Sequence, residues 1–582
     1  MRATSTFTPS ASTVSDAERS GVFAAGDLAF AEMVVRRAGI TDPLCATALA
    51  LAAKAVRLDH VCAELTEPGI ALLWSSDEDD GPVTGPPASE ALLGALASAG
   101  AVVEHVAEGA DIDQLGDAPV VLSAHRCYLR RYAILEQLVA DRLGGLEQLA
   151  APPGLDAVLD EVAGDADVAQ RDAVRRAFSW PVSVIAGGPG TGKTTTVALV
   201  LRVASALPDP LTVALAAPTG KAAARLDEAV RAAMPDADAD VLPQARTLHR
   251  LLGVGRDGVA RGGRLLDADV IVVDEASMVS LPLLAATLGK ARPDARVILV
   301  GDPDQLASIE VGAVLADVVE AAAASSGVVV STLTTAHRFE DARGVPSLAA
   351  AIRSGSVAEF DAAIAAHPDL HSLAPDGGLG ALVARVTDHA VEQIEAARSG
   401  DADRALALVA SLGVLCATKR GQGSTAWWNA AVESELVTRG MLRRRDLDYV
   451  GRPLLVTRTD ALTGLTNGMI GVVVANGDDR RAIFEVGAFA PEAVAWAATV
   501  WALTIHKSQG SEYDEVVVSL PGPDSPILTR ELIYTAVTRA RRTVTLVAPA
   551  GSLQAALSRR VARSSGLAAR LSGPPTAEGH LA

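Results

Sequence analysis

The segment VSVIAGGPGTGKTTTVALVLRVASAL, Val182 to Leu207, decides the fold class. An apolar run ends in a glycine-rich loop, and a stretch of helical texture opens at Lys193. The spacing G-x-x-x-x-G-K-[ST] is met by Gly187, Gly192, Lys193 and Thr194. In that setting backbone N–H groups close around phosphates, Lys193 brings its charge to the β- and γ-phosphates, and the Thr194 hydroxyl can ligate Mg²⁺. The candidate nucleotide-binding set is therefore Gly187, Gly188, Pro189, Gly190, Thr191, Gly192, Lys193, Thr194 and Thr195.

Outward from this loop, short Val/Ile/Leu-rich runs alternate with helical stretches from Asp167 onward, as expected of a parallel sheet covered on both faces. Strands are expected at VSVIA (Val182), TVALAA (Thr212), DVIVVDE (Asp269), RVILVGD (Arg296) and GVVVSTL (Gly327). A second series follows at LGVLCATK (Leu412), YDEVVVSL (Tyr513) and RTVTLVAP (Arg542). Between its first two members, alternating residues and Asn-Gly or Gly-Asp-Asp turns indicate antiparallel strands, read as a small β-barrel insert at about 446–500.

Residues 1–150 read as a helical domain broken by the acidic, Pro/Gly-rich stretch from Ser75 to Pro87. Residues 151–345 and 346–560 are assigned to two α/β domains, and 561–582 to a flexible Arg/Ser/Gly/Pro-rich tail.

Composition sets the outer limits. No apolar run reaches the roughly 18 residues a membrane span requires, and the Ser/Thr-rich start has no signal-type apolar core, so a soluble, cytoplasmic protein without membrane association is expected. Cys45, Cys62, Cys127 and Cys416 are too scattered for a disulfide framework or a metal cluster and read as buried thiols. The net charge of -19 excludes a broadly basic surface, so any nucleic-acid contact must run through a local groove.

Downstream, VIVVDEAS places Asp274 and Glu275 at the end of a buried strand. There one carboxylate can enter the Mg²⁺ shell, with Thr194, and its neighbour can polarise a water. GDPDQLASIEVG puts the Gln305 amide where it can sense a γ-phosphate. Arg338, in TLTTAHRF, and Arg539, in ELIYTAVTRARR, are two candidate arginine fingers, although a surface salt bridge explains either one taken singly. A second polar loop, LTIHKSQGSEYDEVVV from Leu503 to Val518, lies far from the phosphate loop in sequence. Arg250, Arg256, Arg261 and Arg264 form either a short basic hairpin or a solvated loop.

The ordered set GGPGTGKTT, APTGKAAARL, TLHRLLG, VIVVDEASMV, GDPDQLASIEVG, LTTAHRF, LTIHKSQGSEYDEVVV and LIYTAVTRAR resembles the superfamily-one DNA helicases that move 5′ to 3′. Within them it resembles the RecD family, alpha subunits of exodeoxyribonuclease V (RecBCD). The resemblance implies two RecA-like P-loop NTPase domains, ATP and Mg²⁺ as cofactors, and single-stranded and duplex DNA as partners. It also implies RecB-like and RecC-like subunits, with the nuclease in the RecB-like chain. Gln170 would read the adenine, and Arg338 and Arg539 would approach the γ-phosphate across the interdomain cleft. Thr219, Lys221, His249, Thr504 and His506 would lie along a single-strand channel, while Gln509, Gly510 and Glu512 face the nucleotide. His249 and His506 read equally as hydrogen-bonded loop histidines. A stand-alone helicase and a DNA-binding ATPase switch are the rival readings, and the N-terminal helices serve either as a docking domain or as a structural cap.

Overall fold

The computed structural model describes residues 21–74, 85–106, 116–144, 147–235, 242–255, 264–307, 310–312, 314–322, 328–335, 344–443, 448–460, 462–561 and 563–571. In the N-terminal region helices α1 (Ala25–Ala38) and α2 (Pro43–Arg57) pack together over a small sheet. The sheet is formed by β1 (Ala63–Glu64), β2 (Val103–Val106), β3 (Val120–Ser123) and β4 (Arg126–Leu129), in the order β1-β4-β3-β2. Helices α3 (Glu67–Leu73), α4 (Ser89–Ala97) and α5 (Arg130–Gly144) complete it. The all-helical reading of this region is thus corrected. Arg126 to Leu129 were read as the start of a helix, yet Val120 pairs with Leu129 and Leu122 with Cys127. Strands of two to four residues are too short for a period of two to register, and cross-strand pairing overrides local helical propensity.

Helices α6 (Leu155–Val162) and α7 (Val168–Ser179) lead into a six-stranded, wholly parallel sheet. Asp167 begins α7 with a capping box: its carboxylate accepts from the Gln170 backbone N–H at 2.8 Å, and the Gln170 side-chain Oε1 accepts from the Asp167 N–H at 3.0 Å. The strands are β5 (Val182–Gly187), β6 (Val213–Ala217), β7 (Arg246–Thr247), β8 (Val270–Val273), β9 (Arg296–Gly301) and β10 (Val329–Leu333), in the order β10-β5-β9-β8-β6-β7. The five strands read from the sequence in this part all form. Between them run α8 (Lys193–Ala206), α9 (Gly220–Ala233), α10 (Leu248–Leu252), α11 (Leu281–Lys290) and α12 (Val314–Ala322). One face of the sheet packs on α7, α8 and α9, with Phe178, Val197 and Ile298 buried. The other packs on α11 and α12 and continues into α5, with Leu284, Val318 and Val139 buried. Each such side chain contributes about 2 kcal/mol of transfer free energy.

The second unit begins with α13 (Gly344–Ser354), α14 (Val357–Ala366), β11 (Leu370–Leu373), α15 (Pro375–Arg398), α16 (Ala402–Ser411), β12 (Leu412–Cys416) and α17 (Thr425–Thr438). The insert then forms an antiparallel sheet of β13 (Pro453–Leu455), β14 (Ile470–Asn476), β15 (Asp479–Phe484), β16 (Gly487–Phe489) and β17 (Ala498–Thr499). Its order is β16-β15-β14-β13-β17, and among the described residues no pairing joins the two edge strands into a barrel. The chain returns through β18 (Leu503–Thr504), β19 (Tyr513–Ser519), α18 (Arg530–Val537) and β20 (Ala540–Val547), and the second parallel sheet has the order β11-β20-β19-β12-β18. No described helix is long and apolar enough to cross a membrane. All four cysteines are buried and free.

After α19 (Ser552–Ser558), the segment read as a flexible tail is ordered through residues 563–571 and ends in α20 (Leu567–Leu571). The Ser564 carbonyl accepts from the Val61 N–H at 2.9 Å, and its own N–H donates to His60 Nδ1 at 2.9 Å. Leu567 and Leu571, four residues apart on one helix face, enter the core shared by α5 and the first parallel sheet. That two-leucine stripe was masked by its Arg/Ser/Gly surroundings. Residues 572–582 lie outside the described residues.

Candidate nucleotide site and its coupling loop

In open parallel sheets ligands gather at the carboxyl ends of the strands, and here those ends of both sheets face one cavity of about 370 Å³. The first unit lines it with Pro189, Gly190, Gly192, Lys193, Thr194, Thr195, Arg225, Asp274, Glu275 and Gln305, and the second with Gly510, Glu512, Thr538 and Arg539.

The phosphate loop depends on its glycines. A Cβ on Gly187 would lie 2.4 Å from Thr191 Oγ1, while Gly190 and Gly192 hold φ of 75° and 80°. Lys193 Nζ donates to the carbonyls of Gly187 at 2.6 Å and Gly188 at 2.9 Å. An ammonium held on two neutral carbonyls within the curve of the loop readily transfers to the stronger acceptors of a phosphate. Gln170, 3% exposed, lies beneath the loop and not in the lining of the cavity: its amide N–H reaches the Gly192 carbonyl at 3.4 Å while its oxygen serves the α7 cap.

Asp274 lies deep in the cleft, where burial and then the charge of Glu275 raise its carboxyl above the usual range. Its Oδ1 accepts from the Glu275 N–H at 2.9 Å. Glu275 has φ 51° and ψ 41°, left-handed for a residue with a Cβ, a conformation costing about 1–3 kcal/mol that clusters at functional sites. A metal-bearing nucleotide fits this donor set: Thr194 and Asp274 offer oxygens, and Lys193 offers a cation.

Between the units, Asp302 (2% exposed) accepts at Oδ2 from Gln305 Nε2 at 3.1 Å and from the Tyr534 hydroxyl at 3.0 Å. Gln305 Oε1 accepts from Arg539 Nη2 at 2.9 Å. The Leu306 N–H donates to Thr535 Oγ1 at 2.7 Å, and its carbonyl accepts from Gln509 Nε2 at 2.7 Å. Residues Asp302 to Leu306 are thereby gripped by α18 and the Gln509 loop of the second unit. Arg338 lies outside the described residues.

The residues read as a strand channel separate into three groups. Thr219 caps α9 by accepting from the Ala222 N–H at 3.2 Å. Lys221 Nζ donates to Ser511 Oγ at 2.7 Å, inside the interface. Burial, with Arg225 and Arg539 adding to it against the opposing charge of Glu485, lowers its pKa to about 8. Two residues past the cap, the helix directs this side chain at the opposite unit. Thr504 is 7% exposed and caps a 3₁₀ turn by accepting from the Lys507 N–H at 3.3 Å. His506 and His249 stay partly exposed, and burial, then the charges of Arg563 and Lys419, depress the His506 pKa. Of the candidate basic hairpin, Arg256 and Arg261 lie outside the described residues.

Sequence reasoning passed over Asp302, Tyr534, Thr535 and, above all, Arg225. It lies four residues after Lys221, hence on the same helix face, and that spacing was the available signal.

Three family models match: RecBCD enzyme subunit RecD, N-terminal domain, over residues 19–128; AAA domain over 165–374; and UvrD-like helicase C-terminal domain over 499–547. The chain is 40% identical over 562 residues to the RecBCD enzyme subunit RecD of Mycolicibacterium smegmatis, covering 94% of this chain and 97% of that protein. To the RecBCD enzyme subunit RecD of Mycobacterium tuberculosis it is 39% identical, covering 95% and 96%. The ATP-dependent RecD2 DNA helicase of Deinococcus radiodurans is 32% identical over 67% of this chain and 50% of its own length. Among solved structures, the Pif1 helicase from Bacteroides in complex with ADP-AlF3 and ssDNA overlies 70% of this chain and 94% of that one, with a TM-score of 0.38 and 18% identity. The family assignment rests on the curated relatives and not on this overlay. On identity and coverage along nearly its whole length, this chain belongs to the RecD family.

Proposed function

We propose that this chain is an ATP-dependent 5′–3′ DNA helicase that works as the RecD subunit of a RecBCD-type helicase-nuclease in double-strand break repair and homologous recombination. The single observation that carries the motor reading is the bond from Arg539 to Gln305 across a cleft whose other wall holds Lys193, Asp274 and Glu275. Assembly with RecB-like and RecC-like partners is favoured over solitary action by the coverage of 97% of a RecD subunit against 50% of the RecD2 helicase. In this reading the nuclease belongs to the RecB-like chain, and the N-terminal domain, residues 1–150, docks on the RecC-like one.

When bound, magnesium ATP supplies the phosphoanhydride bond whose cleavage drives the cycle. Lys193 moves from the Gly187 and Gly188 carbonyls to the phosphates, and a Glu275 carboxylate oxygen takes the proton of the attacking water; Thr194 and Asp274 would hold the metal, which would supply positive charge at the phosphate oxygens. Arg539 stabilises the charge that develops at the γ-phosphate and, with Arg338, draws the two units together. Gln170 contributes adenine selection from beneath the loop. Thr219, His249, Thr504 and His506 flank the DNA strand, and closing and opening of the cleft alternate the grip on it so that the strand advances.

Strand displacement on 5′-tailed and 3′-tailed duplexes tests the reading, with wild type and Lys193→Ala, and with and without RecB-like and RecC-like subunits. Displacement confined to 5′ tails and lost in Lys193→Ala is expected. Displacement from 3′ tails alone overturns the assignment. ATP turnover that never displaces a strand marks a switch, and full activity of the isolated chain marks a stand-alone helicase.

A further inference from the structure

We infer that Arg225 is the positioning residue through which the first RecA-like unit holds the Gly510–Glu512 end of the coupling loop. Arg225 Nη1 donates to the Gly510 carbonyl at 2.9 Å, and Nη2 lies 3.0 Å from Glu512 Oε1. Both acceptors belong to the second unit, whereas Arg225 stands on α9 of the first. The planar guanidinium makes both contacts from one rigid fork, which a lysine cannot reproduce.

The electrostatics give this fork a purpose. Asp274 and Glu275 of the first unit and Glu512 of the second face the same cleft, and Arg225 interacts with all three. Glu512 is 14% exposed and is held on its other oxygen by Arg541 at 3.3 Å. Without Arg225, carboxylates of opposite units would confront one another in a partly desolvated gap, and repulsion would oppose closure. Beside this pair Lys221 fixes Ser511 through its hydroxyl, so three consecutive residues, Gly510 to Glu512, are tied to one face of α9. Gly510, at φ 71°, lets the chain turn there. The same short loop begins at Thr504 and His506, so fixing its far end sets the attitude of the segment beside the strand. Arg225 thus converts cleft closure into a defined loop position.

The inference rests on the helicase reading for its catalytic consequence, but the loop position can be measured without it. Arg225→Ala, Arg225→Lys, Glu512→Gln and Arg225→Ala with Glu512→Gln are compared in two assays on the full chain. The first is amide hydrogen exchange over residues 505–513 without nucleotide. Exchange at least about tenfold faster in Arg225→Ala is expected, with no further acceleration in the double variant. The second is steady-state ATPase with saturating single-stranded DNA. Here kcat is expected to fall roughly 10- to 100-fold in Arg225→Ala with KM for ATP changed less than about threefold, and Arg225→Lys should recover only part of it. Unchanged exchange in Arg225→Ala overturns the positioning role, as does a loss residing wholly in KM or independent effects of the two single variants. A wild type that lacks ATPase while the exchange difference is present overturns the helicase reading and leaves the positioning role standing.

Discussion

Arg539 Nη2 donates to Gln305 Oε1 at 2.9 Å, a hydrogen bond between two separately folded parallel sheets made by side chains 4% and 7% exposed. The same guanidinium reaches the Thr535 carbonyl at 3.2 Å and the Ser511 carbonyl at 3.4 Å. One charged group therefore touches the amide that follows Asp302, its own helix, and the coupling loop. Two of these bonds lie within the second unit, whereas the bond to Gln305 crosses to the first and can persist only while the units are closed.

Replacing Arg539 should accordingly cost far more than a surface cation. Arg539→Ala is expected to lower kcat by about 10³-fold or more, as loss of an arginine finger does, and Arg539→Lys should not restore it because a compact ammonium lacks the planar fork that spans these three acceptors. Single-turnover hydrolysis with excess enzyme isolates the chemical step; a loss under tenfold there would remove Arg539 from the transition state.

Lys193→Ala removes the cation that now bridges the Gly187 and Gly188 carbonyls. ATP hydrolysis is expected to fall to background, while circular dichroism and the melting profile stay near wild type, because the loop is shaped by Gly187, Gly190 and Gly192 and not by the lysine. A comparable loss in Lys193→Ala accompanied by unfolding would point instead to a structural lysine.

Much of this was legible in the sequence, for identifiable reasons. β5, β8 and β9 are apolar, largely buried runs ending in polar loops, so strand and candidate site announce each other at Gly187, Asp274 and Gln305. The N-terminal sheet was hidden because β1 has two residues and β2 to β4 have four each, below the length at which alternation can be read. The bond from Lys221 to Ser511 was not legible because the sequence motif locates a residue on a helix start but not the direction in which the helix aims it. The cap that Thr504 gives the Lys507 N–H was hidden for a like reason, since it is visible only once the 3₁₀ turn is known. Arg225 needed both its helical phase and a partner 285 residues away, and only the former is a sequence property.

Asp317 gives a pH signature. Burial lifts its carboxyl from 3.8 to about 7, against a hydrogen bond from Ser565 that acts to lower it. The folded chain therefore binds this proton more tightly than the unfolded one. Below about pH 3.8 both states are protonated and the group costs nothing; the cost grows between about 3.8 and 7 and is complete above about 7. Asp317→Asn should raise stability at about pH 8 by roughly 1–2 kcal/mol, after discounting for the partial exposure of the side chain, and add nothing near pH 3.5. Chemical denaturation at the two pH values measures this, and a gain of equal size at both would show that the carboxyl is not the titrating group.

The buried pair between Glu136 and Arg570 decides whether the end of the chain stays attached. Glu136 is wholly buried and accepts from Ser565 Oγ at 2.9 Å, the Gly566 N–H at 2.8 Å and Arg570 Nε at 3.0 Å; Arg570 also stacks over the Tyr128 ring at 5.5 Å. Removing only the cation strands a desolvated carboxylate, so Arg570→Met is expected to cost about 3–5 kcal/mol locally, whereas Arg570→Met combined with Glu136→Leu should recover part of it. The loss should appear as faster hydrogen exchange at the Val61 and Cys62 amides, which donate to the Ser564 carbonyl. If those amides exchange at the wild-type rate in Arg570→Met, the segment from 563 to 571 is held by its other contacts, the Ser564 hydrogen bonds and the buried Leu567 and Leu571 among them, and the ion pair contributes nothing to its anchoring.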